Sequence, residues 1–160
     1  MAKPKGHWRN AVVSRAETAA AEAAWKIVVI DDDPTGSQTV HSCPLLLRWD
    51  VETLRQGLRH PSPLLFVLAN TRALVPEAAA ARNREIVASL AQALAAEGIN
   101  DQQVLLVSRG DSTLRGHGVL EPAVLAAELG DRFGAVHATL HVPAFLPGGR
   151  TTVNGVHLLH

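Results

Sequence analysis

Ser108-Arg109-Gly110-Asp111-Ser112-Thr113-Leu114-Arg115-Gly116-His117 packs two arginines, an aspartate, three hydroxyls, a histidine and two glycines into ten residues. An arginine can give two parallel hydrogen bonds to a carboxylate or phosphate. Asp111, between Arg109 and Arg115, can orient an arginine, accept from a substrate hydroxyl or take its proton as a general base. Ser112 and Thr113 suit a carboxylate or sugar hydroxyl, while Gly110 and Gly116 let the backbone approach a ligand. The stretch therefore suits a small, polar, anionic substrate. An internal Arg–Asp pair that staples the loop would use the same residues, and the two uses are compatible.

Two other clusters carry comparable chemistry. Asp31-Asp32-Asp33-Pro34-Thr35-Gly36 sets three acids in a row, which is costly unless they are solvated, paired with cations or bound to a ligand. A solvated turn also uses Asp, Pro and Gly, and Asp32 or Asp33 could accept from hydroxyls or bind Mg²⁺. Asp31-x-Asp33-x-Thr35 after an apolar strand also fits a haloacid-dehalogenase-like phosphatase, in which one acid attacks phosphorus. That chemistry wants a basic residue and further acids, yet lysines occur only at Lys3, Lys5 and Lys26 and no second acidic pair follows a later strand. Asn70-Thr71-Arg72 offers an arginine fork beside an amide and a hydroxyl; a solvated arginine in a helix-leading loop would look the same.

Other signals are weaker. His117 adjoins the main cluster. His137 and His141 share a face of an expected strand, but a pair falls short of the three or four protein ligands that zinc takes, so no metal site is expected. Cys43 reads as a small buried residue. Gly148-Gly149-Arg150-Thr151-Thr152 is glycine-rich, but neither GxxxxGK[ST], GxGxxG nor GxSxG occurs, so no complete nucleotide site or serine-hydrolase elbow is indicated.

The elements that must hold these residues alternate in type. Lys26–Ile30, Leu45–Leu47, Leu64–Ala69, Val104–Val107 and Ala135–Val142 read as strands. Helices are expected over Val51–His60, capped by Asp50; over Pro76–Glu97, closed by Gly98; and around Leu120–Leu129. Strand–helix alternation implies an α/β fold, three-layer, with a mostly parallel sheet flanked by helices. Polar motifs follow four of the strands, so parallel packing would bring them to one sheet edge.

With 160 residues, 47% apolar and 19% charged, the chain has enough material for one globular domain and is not a disordered type. Zero formal net charge argues against nucleic acid or an anionic membrane as partner. No apolar run approaches the roughly 20 residues that span a bilayer, and a single cysteine suits a reducing, cytoplasmic setting. Residues 1–24 read as an amino-terminal extension with a helical stretch at Ala16–Ala24, not a secretory signal, because charges interrupt it. Residues 25–160 form the domain proper.

Asp31 through Val40, Asn70-Thr71-Arg72-Ala73-Leu74, Ser108 through His117, and Pro143-Ala144-Phe145 through Gly149-Arg150-Thr151-Thr152 and Gly155-Val156-His157 together resemble the four-carbon acid sugar kinases. The ten-residue Ser108–His117 segment is the most specific of the four, and the resemblance covers residues 26–160 in order. It implies ATP-dependent phosphorylation of a terminal hydroxyl on threonate, erythronate or 3-oxo-tetronate, with Mg²⁺. The family's amino-terminal domain binds the sugar acid and a separate carboxyl-terminal domain binds ATP. Matched positions make Asp33, Arg72, Ser108, Arg109, Ser112, Thr113 and Arg115 the candidate substrate-binding residues, with Asp32 and Asp111 as the candidate catalytic acids. Thr71 stands where the family more usually has serine.

Family members run to several hundred residues, so the resemblance implies an incomplete sugar-binding domain with no ATP site. It follows that the chain alone is expected to be inactive and to leave apolar sheet surface exposed, with the missing domain encoded downstream. Two other readings remain open at this point: a stand-alone phosphatase using Asp31 and Asp33, and a non-catalytic sugar-acid-binding protein.

Overall fold

The computed structural model describes residues 25–111, 115–143 and 145–160. Strands β1 (Lys26–Asp31), β2 (Leu45–Leu46), β3 (Leu64–Leu68) and β4 (Val104–Arg109) form one sheet in the order β2-β3-β1-β4. All its pairings are parallel. β1 lies in the middle, with Val29 opposite Phe66 on one side and Val107 on the other. In the same register Asp31 stands opposite Leu68 and Arg109, so the ends of β1, β3 and β4 finish level.

The connections are helices α1 (Val51–Arg59), α2 (Pro76–Glu97) and α3 (Leu120–Phe133). Asp50 caps α1 by accepting from the Thr53 N–H at 3.0 Å and from the Thr53 hydroxyl at 2.8 Å. Pro76 opens α2, and Gly98 ends it in the left-handed region at φ 65, where glycine costs least. α3 runs four residues beyond the expected Leu129, to Phe133.

Alternating strand residues decide the core. Val28, Ile30, Leu65, Val67 and Ala69 meet Leu54 and Leu58 of α1, Ile86, Val87, Leu90, Ala93 and Leu94 of α2, and Leu125 of α3 in a single buried cluster. α1 comes so close to the sheet that a Cβ on Gly57 would stand 2.7 Å from Leu65. At the surface, Glu97 of α2 takes Arg55 Nε at 2.7 Å and Arg59 Nη2 at 2.7 Å from α1. The α/β architecture expected from the alternation is the one the chain adopts, and no helix among the described residues is long and apolar enough to cross a membrane.

One element differs from expectation. Residues 135–142 are not a strand: residues 134–143 contain neither helix nor strand. Val136, Ala138, Leu140 and Val142 line a cleft beside β4, but no ladder joins them to it. Alternation shows which side chains share a face; a strand also needs a backbone partner. Beyond this segment, β5 (Arg150–Val153) and β6 (Val156–Leu159) form an antiparallel hairpin. Its two-residue turn, Asn154-Gly155, has positive φ at both positions, 51 and 77, which suits the twist of paired strands.

Candidate functional site

Three loops meet at the carboxyl ends of β1, β3 and β4. Backbone bonds join them first. Asp32 N–H donates to Arg109 O at 3.2 Å, Arg72 N–H to Asp32 O at 3.1 Å, and Asn70 N–H to Asp31 O at 3.2 Å. Side chains then pair across the same seams. Arg72 grips Asp32 with Nη2 at 2.8 Å and Nε at 3.1 Å, and its Nη1 stands 3.2 Å from Asp33. This fork holds Asp32, only 2% exposed, and keeps the Arg72 guanidinium above its ordinary pKa.

Asp31 is fully buried. Arg109 Nη1 reaches its Oδ1 at 3.3 Å, while its Oδ2 has no hydrogen-bond partner among the described residues. Burial raises the Asp31 pKa, and the neighbouring Arg109 charge offsets part of that rise. Gly36 lies against this pair: a Cβ there would be 2.1 Å from both Asp31 Oδ2 and Arg109 Nη1. Asp33 behaves differently. It caps the short turn Pro34–Thr39 by accepting from the Thr35 hydroxyl at 2.5 Å and the Thr35 N–H at 2.8 Å, and these bonds lower its pKa.

The end of β4 and the loop after it contribute Ser108, Arg109, Asp111 and Arg115 to a cleft of about 970 Å³. Arg115 Nε bonds Asp111 directly, so the stapling pair is Asp111–Arg115, whereas Arg109 reaches across to β1. Gly116 has φ +76, and a Cβ there would come within 3.1 Å of Arg72 and 3.2 Å of Asp32 Oδ2; glycine is needed for the backbone angle and for the close approach alike. Ser112 and Thr113 lie outside the described residues. His117 instead binds away from the cluster, its Nε2 donating to Leu74 O at 2.9 Å.

Arg72, Arg109, Arg115 and Arg150 line the cleft, against the two carboxylates Asp111 and Glu121. Asp31, Asp32 and Asp33 are not among its lining residues. They stand behind the arginines and hold them, so the surface presented to a ligand carries more cations than acids. Among the described residues, no trio of His, Cys, Asp or Glu is placed to hold a metal ion. Four of the expected residues, Arg72, Ser108, Arg109 and Arg115, thus share one cleft with Asp111; Asp32 and Asp33 reach it through Arg72.

Arg150 was not among the expected site residues. It opens β5 and stands 3.9 Å from Asp111 and 6.0 Å from the Phe145 ring. Its signal was the Gly148–Thr152 motif itself, read for its glycines and not for its arginine. Glu121 was also missed, as an ordinary residue in the first turn of a helix.

No curated protein and no solved structure matches the chain. A family model does, over residues 27–160: the sugar-binding N-terminal domain. Apart from Lys26 at the start of β1, the match takes in every strand and helix described above and all three loops of the cleft, and the chain belongs to the family of sugar-binding N-terminal domains.

Proposed function

We propose that this chain is the substrate-binding portion of an ATP-dependent kinase that phosphorylates four-carbon sugar acids: threonate, erythronate or 3-oxo-tetronate. One observation carries the reading. Four arginines converge on one cleft at the ends of parallel strands, each paired with an aspartate, in a chain of the sugar-binding family. A sugar acid needs a cationic fork for its carboxylate and acceptors for its hydroxyls. Arg109, with Arg72 and Arg115, serves the carboxylate; Ser108, Ser112 and Thr113 serve the hydroxyls. Asp111 lines the cleft and is the better placed acid for proton transfer, while Asp32 acts through Arg72.

The acids at the sheet end are engaged by arginines, which disfavours them as ligands for the Mg²⁺ that accompanies ATP. The proposal therefore assigns the phosphoryl donor to a separate nucleotide-binding unit and leaves the chain inactive alone. Positioning and charge stabilisation are what phosphoryl transfer asks of the acceptor side. Cytoplasmic residence and a lack of nucleic-acid or membrane partners belong to the same proposal.

The phosphatase reading requires Asp31 to attack phosphorus, yet Asp31 is fully buried with Gly36 against it. Hydrolysis of p-nitrophenyl phosphate that vanished in Asp31→Asn would restore that reading. Calorimetry tests the main one. Threonate or erythronate should bind, uncharged threitol should not, and Arg109→Ala should weaken acid binding by about tenfold or more. A folded protein that takes up none of the acids would sink the proposal.

A further inference from the structure

We propose that Glu121 is a positioning residue that sets Arg72 for the ligand, acting through Thr71; the claim rests on the sugar-acid reading of the cleft. Glu121 stands in the first turn of α3, four residues past His117, and is 4% exposed. Its Oε1 accepts from the Thr71 hydroxyl and from Asn83 Nδ2 at 3.0 Å. Thr71 and Asn83 are both fully buried. Among the described residues no ion pair reaches this carboxylate, so two neutral donors and the positive end of α3 are what offset its burial. An apolar side chain would fill the space between α2 and α3 without that desolvation cost.

What the carboxylate achieves is local. Thr71 immediately precedes Arg72, whose N–H and guanidinium both bond Asp32. Fixing the Thr71 side chain from α3 fixes the backbone from which the Arg72 fork departs. The same loop is held at its other points: Arg82 Nη1 donates to Ala69 O at 2.9 Å, Asn70 takes φ 50, and His117 bonds Leu74 O. Because His117 ends the Ser108–His117 loop and Glu121 follows it, they tie its far end to the loop after β3. The two loops that supply the arginines are thereby set relative to each other from a nearly buried position in the cleft wall.

Three variants, Thr71→Val, Glu121→Ala and Glu121→Gln, test this with two readouts. Calorimetry with threonate and erythronate should show binding weakened about tenfold in Thr71→Val and Glu121→Ala, and within about threefold of wild type in Glu121→Gln, whose amide oxygen still accepts both donors. The NMR signal of the Arg72 Nε–H, protected by its bond to Asp32, should be lost to solvent exchange in the first two variants and persist in Glu121→Gln. Folded Thr71→Val and Glu121→Ala proteins that bind like wild type and keep the Arg72 signal would overturn the proposal. Should Glu121→Ala fail to fold, Thr71→Val decides the matter. Wild-type protein that binds neither acid would defeat the sugar-acid reading, and the Arg72 signal would then decide the positioning claim by itself.

Discussion

Two parts of the chain deliver arginines to one cleft by different means. In the body, residues 26–133, Arg72 and Arg109 are anchored to aspartates 2% and 0% exposed, at the ends of strands seated on a buried core. From Gly134 to His160 no described residue is buried. There Arg150 is carried by the β5–β6 ladder and the Phe145–Arg150 bridge, and its guanidinium meets Asp111 at 3.9 Å. A side chain fixed by burial shares the stability of the whole core, whereas one fixed by a hairpin depends on a unit that opens cheaply. The first kind suits a group that must stay in register with its neighbours; the second suits one that arrives from outside the sheet.

The sharpest way to break this contrast is Arg72→Ala. It leaves Asp32 buried without its cation, and removing one partner of a buried pair costs about 3–5 kcal/mol; urea unfolding should show it, together with loss of acid binding. Next comes a matched pair of truncations. Leu90→Ala, in the core at 1% exposure, should cost about 2–5 kcal/mol, while Leu159→Ala, 76% exposed in the hairpin, should stay within about 0.5 kcal/mol. Similar losses at the two sites would show that the hairpin belongs to the core after all. Arg150→Gln should leave the unfolding midpoint unchanged but weaken acid binding about tenfold; an unaltered affinity would remove Arg150 from the site.

The smallest effect concerns pH. Arg59 and Arg55 hold the Glu97 carboxyl down to about 2 from 4.5. A depressed carboxylate contributes stability above its unfolded pKa and loses it as pH falls through the folded value. Stability should therefore decline between about pH 4.5 and 2, and Glu97→Gln should flatten that part of the curve. An equal slope in both proteins would mean that other carboxylates carry it.

Local signals made much of the body legible. Asp50, Pro76 and Gly98 mark helix ends because capping and φ restrictions act within a few residues. The β-branched run after Lys26 and the short apolar run from Leu64 announce strands for the same reason. Pairings set by the fold were out of reach: Arg109 lies two residues from Asp111 in sequence yet pairs with Asp31, 78 positions away, because β1 and β4 end in register. Glu121 gave no warning either, since its partners Thr71 and Asn83 are brought to it only by helix packing. The Val136–Val142 alternation was misleading because periodicity is silent about who supplies the ladder. Asn154-Gly155 is the opposite case, a strong local hairpin signal between two short strands.

Gly36 extends beyond this one chain. Its missing methyl is what lets a buried carboxylate and an arginine from another strand share one spot, 2.1 Å from where that methyl would be. Any related sequence with a side chain at this place must hold its arginine by some other arrangement or do without it. A single position, read from sequence, can therefore sort relatives into those able to present this arginine in this form and those that have taken another route.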